Sequence, residues 1–350
     1  LLDFGSLIGY SIVDQGTFVS RNKQDKFMTN EDKKRVLIID ALNMFIRAYI
    51  VDPSLSTNGQ PIGGIKGTIK IMQTLTRLTN PDEIVVVWDG PNGSQKRRSI
   101  DKGYKEGRKP LRLNRSAHNL SDDEIAHNKM WQTTRVIEYF NEMPIVQIML
   151  PEIEADDVIS YVTQMKYYKG WQKVVASNDK DFLQLCDDET LVYRPTSGAL
   201  MNKNRIIEEI GIHPRNMALA RAIAGDVSDN LPGIKGAGLV SIKKRLGFLA
   251  SEKDYTVNEV IDFCEKAASK LKFFINIAEG EETIAHNYKM MQLYSPLMSV
   301  QSKSFVRNAI ENFECTFNKT GVLKLMHDDG FGELNWEDLK ASLNRIEIDC

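Results

Sequence analysis

Residues 35–43 read RVLIIDALN: four consecutive apolar residues, Val36 to Ile39, closed by an aspartate at position 40. A short run that is β-branched and apolar without alternation suits a strand buried on both faces of a parallel sheet. Three later segments repeat the pattern: IVVVWD (84–89), IVQIML (145–150) and KVVAS (173–177). Between the first two, Ile62, Ile65, Ile69, Met72, Leu75 and Leu78 recur at helical spacing; after the third, Val158, Ile159, Val162 and Met165 share one helical face. This alternation predicts an α/β fold with a mostly parallel central sheet flanked by helices. The ligand site of such a sheet lies beyond the carboxyl ends of its strands.

Past residue 200 the strand-like runs stop and helical patterns continue, punctuated by Gly211, Gly247 and GDVSDNLPGIKGAG (225–238). The opening 31 residues are mostly polar with little periodicity, and Met28 is the first methionine, which places the natural start there and reads residues 1–27 as an extension. The 350 residues are 42% hydrophobic, enough for a substantial core. No apolar run approaches the ~20 residues that span a bilayer. The opening LLDFGSLIGYSIVDQ carries Asp3 and no basic n-region, which argues against membrane and secreted readings. Cys186, Cys264, Cys315 and Cys350 form no CxxC pair, so they read as reduced thiols in a cytosol. The net charge of −2 gives no argument for a nucleic-acid partner; the distribution of charge does.

Acids stand where the strands stop. Asp40 follows VLII, Asp89 follows IVVVW, and Glu154, Asp156 and Asp157 lie in EIEADDV shortly after IVQIML. Asp179 and Asp181 follow KVVASN, and Asp226 and Asp229 lie in GDVSDN. Carboxylates gathered at one sheet edge repel and require cations. Oxygen donors without a His or Cys cluster favour Mg²⁺ or Mn²⁺ over zinc. Two such ions about 4 Å apart would let one activate an attacking water and the other stabilise the leaving oxygen of a phosphodiester. Taken singly, a strand-terminal Asp is commonly a helix N-cap. Glu152 reads as a solvated loop acid and is left out of the group.

Between Lys96 and Arg115 nine basic residues face only Asp101 and Glu106. Such a run is usually a solvated face, but placed directly after the Asp89 strand end it reads as a clamp for a polyanion. Tyr104 and Phe45 offer rings for base stacking, although simple packing is the commoner role for either. In LPGIKGAG, Gly233, Gly236 and Gly238 allow a tight turn with exposed backbone N–H groups. Between helices, this turn would hold a duplex phosphate with the help of Lys235, Lys243 and Lys244. A dinucleotide-binding loop is excluded by spacing and by the lack of a preceding strand.

In this order, VLIIDALN, VVVWDG, EADDVIS, ASNDKDFLQL and GDVSDNLPGIKGAG resemble the 5′-nuclease family: flap endonucleases, 5′-exonuclease domains of bacterial DNA polymerases, and phage 5′-exonucleases. RRSIDKGYKEGR (97–108), and more loosely NYKMMQLYSPL (287–297), are similar to segments of the ribonuclease H of T-even phages. The intact glycine hairpin, degraded in that enzyme, places the chain among phage-type 5′ nucleases without a closer match.

The resemblance implies a PIN-like 5′-nuclease fold with a disordered extension at 1–31 and a catalytic body at 32–200 that includes a helical arch at 91–130. A helix-hairpin-helix region at 201–250 and a C-terminal helical domain at 251–350 would follow. Asp40, Asp89, Glu154 and Asp156 would serve one metal, and Asp157, Asp179, Asp181, Asp226 and Asp229 the other. Lys105 matches the arch lysine at the scissile phosphate, Arg97 or Arg98 its neutralising arginine, and Arg108 a further nucleic-acid contact. The implied cofactors are two Mg²⁺ ions, replaceable by Mn²⁺, with K⁺ at the hairpin. The implied activity is 5′-3′ exonuclease and flap endonuclease cleavage of DNA and RNA–DNA hybrids, with RNA-primer removal in phage replication as its setting. Further expectations are a monomer in the host cytoplasm, with single-stranded-DNA-binding protein or a sliding clamp as protein partners. Two rivals are a non-catalytic junction-binding protein on the same scaffold and a PIN-like ribonuclease; the full carboxylate set opposes the first and the glycine hairpin the second.

Overall fold

A computed structural model describes residues 33–107, 120–267, 271–332 and 336–348. In chain order these form β1 (Arg35–Asp40), α1 (Ala41–Val51), α2 (Gly63–Thr79), β2 (Glu83–Trp88), α3 (Gln95–Ile100), α4 (Asp122–Asn141), β3 (Val146–Met149), α5 (Ala155–Thr163) and β4 (Gln172–Ala176). Next come β5 (Thr190–Arg194), β6 (Ala199–Met201), α6 (Lys203–Ile210), α7 (Met217–Ala224), α8 (Leu239–Arg245) and α9 (Val257–Lys266). The last are α10 (Lys272–Ala278), α11 (Glu281–Met291), α12 (Val300–Glu311), α13 (Lys319–Asp328) and α14 (Trp336–Ile348). The described residues within Thr29–Pro91, Lys109–Ser177 and Ser299–Cys350 form one compact unit, and those within Asn92–Arg108 and Asn178–Met298 a second.

The first unit holds the parallel strands in the order β3-β2-β1-β4. Val36 to Ile39 and Val85 to Val87 are wholly buried, as expected of strands covered on both faces. The chain runs outward from β1 through β2 to β3, then returns to the other side of β1 with β4. The topological switch point therefore lies between β1 and β4, and ligands of open α/β sheets bind there, beyond the carboxyl ends. Helices α1 and α2 pack on each other, α5 packs on β1 and β2, and α12 covers β3 and α5. Gln132 of α4 docks onto the start of α2, accepting from the Ile65 N–H and donating to the Pro61 carbonyl.

In the second unit β5 and β6 form an antiparallel hairpin that the short runs TLVYR and ALM did not announce. Helix α7 packs on α11, α9 on α10 and α11, and α8 on α6 and α7. Buried Asn287 of α11 donates to the carbonyls of Ala222 and Pro232, joining that helix to the glycine hairpin.

Among the described residues no helix is long and apolar enough to cross a membrane. Cys186 and Cys264 are free thiols, and burial pushes the Cys264 thiol up to about 11. Cys350 lies outside the described residues. The expected extension at 1–31 and Arg108 also lie outside the described residues.

Candidate active site

In the first unit, register places the acids. Ile39 pairs with Ala176, so Asp40 and Ser177 emerge side by side at the switch point, and the Ser177 hydroxyl donates to Asp40 Oδ2 at 2.9 Å. Asp40 Oδ1 accepts from the Asn43 N–H at 3.1 Å, capping α1. Asp89, exposed beyond β2, accepts from the Ala155 N–H at 2.8 Å. It thereby caps α5, whose first turn carries Asp156 and Asp157. Gly90 lets the strand end approach β3: a methyl there would overlap the Leu150 carbonyl. Glu154 and Asp157 are each 2% exposed, so two carboxyl groups are held out of water beside Asp156. Glu152 lies exposed on a turn with φ +61°.

In the second unit Asp179 accepts from the Asp181 N–H at 2.8 Å. Arg221, on α7, donates from Nε to Asp181 at 2.8 Å and from Nη2 to Asp226 at 2.7 Å. Burial pushes Asp181 up to about 6 against the pull of the Arg221 charge, and the neighbouring Asp179 and Asp226 charges add to the rise. Burial alone would raise Asp226 too, but hydrogen bonds from Ser228 and the Arg221 charge outweigh it and hold its carboxyl below the ordinary value. The turn GDVSDN is closed by an antiparallel bridge between Asp226 and Leu231. Gly225, at φ +75°, passes so close to Gly233 that a side chain would strike its backbone nitrogen.

The base of the basic stretch belongs to this same unit. Arg97 is 4% exposed and donates to the Met290 carbonyl at 3.0 Å, and Lys96 donates to that of Leu297 at 3.0 Å. Asp101 pairs with His286 at 3.0 Å. Arg98 is exposed on α3 and Lys105 is half-buried. The stacking expectation is not kept for Tyr104, whose ring is 3% exposed and packs with Leu231, Met290 and Met291. Nor is it kept for Phe45, which is wholly buried and stacked on Tyr49. An aromatic face in the core cannot receive a base. Lys243 also has another partner than expected: its ammonium donates to the Glu208 and Glu209 carbonyls at the carboxyl end of α6. Lys235, Gly233, Gly236 and Gly238 are exposed along the turn between α7 and α8, with Gly236 at φ +81°, and Lys244 is exposed on α8.

The donor chemistry fits a hard divalent cation: both units carry sets of carboxylate oxygens and neither offers a thiolate or imidazole among them. Among the described residues no three His, Cys, Asp or Glu side chains are grouped closely enough to hold a metal ion as they stand. The capping bonds fix the acids locally. Sequence reasoning missed Ser177 and Arg221. A seryl hydroxyl directly after β4 and an arginine five residues before Asp226 were the available signals.

With this geometry in view, the model for the 5′-3′ exonuclease N-terminal, resolvase-like domain matches residues 35–211, just over half of the chain. The chain belongs to the 5′-3′ exonuclease family. It is therefore a nuclease, built on the mostly parallel sheet that the four strand runs foretold. A 5′-3′ exonuclease of Buchnera aphidicola from Schizaphis graminum is 30% identical over 296 residues, covering 84% of this chain and 94% of that one. That of Aquifex aeolicus is 29% identical over 272 residues, covering 75% and 83%. The thermostable DNA polymerase I of Thermus aquaticus is 29% identical over 217 residues, 62% of this chain and 24% of the polymerase. Among solved structures, the T5 5′-exonuclease with divalent zinc ions bound shares the fold at a TM-score of 0.61 and 16% identity, covering 85% of this chain and 98% of that one. The bacteriophage T5 flap endonuclease in complex with DNA and metal ions does so at 0.57 and 16%, covering 88% and 100%.

Proposed function

We propose that this exonuclease is a Mg²⁺-dependent phosphodiesterase that removes nucleotides from the 5′ ends of DNA and of RNA paired to DNA, 5′ flaps included. The observation that carries the reading is the placement of Asp40 at the switch point beside Ser177, with Asp89 tied to the start of the α5 helix that bears Asp156 and Asp157. Asp40, Asp89, Glu154 and Asp156 would hold one divalent ion; Asp157, Asp179, Asp181, Asp226 and Asp229 would hold a second. Bound there, Mg²⁺ or Mn²⁺ supplies neutralisation of phosphate charge and acidification of the attacking water.

The chain's own cations act on the substrate. Lys105 and Arg98 meet the reacting phosphate and oppose the charge that develops on it. The backbone N–H groups of Gly233, Gly236 and Gly238, with Lys235 and Lys244, hold the duplex backbone by sequence-independent contacts, with K⁺ as an accessory ion. The arch at 91–130 guides the single strand, the region 201–250 grips duplex, and the helices of 251–350 complete the body. The setting proposed is RNA-primer removal in phage DNA replication, in the host cytoplasm, by a monomer that works beside single-stranded-DNA-binding protein or a sliding clamp.

The test is a labelled 5′-flap duplex and a labelled RNA–DNA hybrid incubated side by side with Mg²⁺ or with EDTA, product lengths being read on a gel. Short 5′ products from both substrates with Mg²⁺ alone are expected. Binding of the flap without Mg²⁺-dependent cleavage would replace this reading by the junction-binding one.

A further inference from the structure

Two turns of the second unit meet residue against residue. From the acid turn, the Asp229 carbonyl accepts from the Lys105 N–H at 3.1 Å. The next residue, Asn230, donates from its amide nitrogen to the carbonyls of Gly103 and Glu106, both at 3.1 Å. The one after, Leu231, packs with the Tyr104 ring, over which the Lys105 ammonium sits 4.9 Å from the centroid. Three consecutive residues, 229 to 231, thus engage the four residues 103 to 106 by backbone, amide and apolar contact.

We infer that Asn230 is the positioning residue of Lys105, locking the arch base onto the acid turn before any nucleic acid is bound. The inference rests on the reading of Lys105 as a contact to the reacting phosphate. The chemistry of position 230 is demanding. Its φ of +61° is left-handed, which asparagine tolerates better than most residues. Its amide supplies two N–H donors from one nitrogen, matching two carbonyls of one loop. A carboxylate of the same shape would present only acceptors to those carbonyls. Lys105 is itself left-handed, at φ +57°, a conformation a lysine keeps only where its surroundings hold it. The bonds from Asn230 fall on either side of it, at 103 and 106, and fix the backbone from which its side chain departs. Buried Tyr104 then serves as the platform under the ammonium.

The experiment compares the wild type, Asn230→Gly, Lys105→Ala and the double variant in single-turnover cleavage of a labelled 5′-flap duplex. Flap affinity is measured in Ca²⁺, and amide hydrogen exchange without nucleic acid. Glycine keeps the left-handed turn and removes only the amide. Asn230→Gly is expected to slow cleavage roughly 10- to 100-fold, the scale of a misplaced catalytic group. Flap affinity should stay within several-fold, and Asn230→Gly should add no further loss in the Lys105→Ala background. The Lys105 amide, protected in the wild type, should exchange faster in the variant. A parent rate for Asn230→Gly beside a slow Lys105→Ala overturns the positioning role alone, as does an equal loss in both backgrounds. A parent rate for Lys105→Ala overturns the reading of Lys105 and this inference with it. Fast exchange of the Lys105 amide in the wild type overturns the lock however the variants fold.

Discussion

Arg221 and Asp181 meet at 2.8 Å with side chains only 12% and 16% exposed, and the same guanidinium reaches Asp226 at 2.7 Å. One cation thus neutralises two acids that would otherwise repel each other across a partly desolvated space. The pair is a built-in counter-charge for the acids that would take the second divalent ion.

Arg221→Gln leaves those carboxylates unpaired. The metal-free protein should lose roughly 3 kcal/mol of stability, as expected when one partner of a buried ion pair is removed. Saturating Mg²⁺ should narrow the loss, because a bound cation stabilises whichever state holds it. Urea denaturation with EDTA and with Mg²⁺ measures both; equal losses in the two conditions would separate Arg221 from the cation site.

Asp179→Asn removes one carboxylate charge and leaves Lys105, Arg98 and the glycine hairpin intact. Turnover on a 5′-flap duplex should fall by orders of magnitude with flap affinity within several-fold, because affinity rests chiefly on phosphate contacts. Near-normal cleavage in Mg²⁺ would remove Asp179 from the metal ligands.

Arg97 and Arg98 are adjacent in sequence, one buried and the other exposed. Arg97→Ala deletes a buried guanidinium bonded to the Met290 carbonyl and should cost about 1–3 kcal/mol in a denaturant titration. Arg98→Ala should leave the denaturation midpoint unchanged and slow flap cleavage. The opposite pattern would exchange their roles.

The α9 cap gives a pH signature. The Glu259 carboxylate is held down to about 2 by Lys253 and by the Thr256 hydroxyl and N–H. A depressed acid contributes stability that is present above its unfolded value of about 4.3 and is lost as pH falls through the folded one. The Tm difference between wild type and Glu259→Gln should therefore shrink steadily from pH 5 toward about 2. A difference that is constant across that window would contradict the cap.

Much of this was legible in the chain. The four parallel strands fell where the β-branched runs lay, because doubly buried strands need continuous apolar residues, and the acids at their ends followed from the direction of the sheet. Long-range packing was not legible. Leu78 kept the helical period but lies 40% exposed at the end of α2, and Met165 lies beyond the end of α5. The short strands β5 and β6 lacked an apolar run long enough to stand out. Tyr104 and Arg97 sit in a basic, polar stretch that reads as a clamp for a polyanion, and only the fold buries them against Met290 and its neighbours. Lys243 resembled its exposed neighbour Lys244 until the carboxyl end of α6 supplied carbonyls for it.

The most direct measurement is the anomalous scattering of a crystal of the wild-type protein soaked in Mn²⁺. Peaks within coordination distance of oxygens of Asp40, Asp89, Glu154 or Asp156, and of Asp179, Asp181, Asp226 or Asp229, are predicted. A fully soaked crystal with no peak near any of these carboxylates would contradict the account.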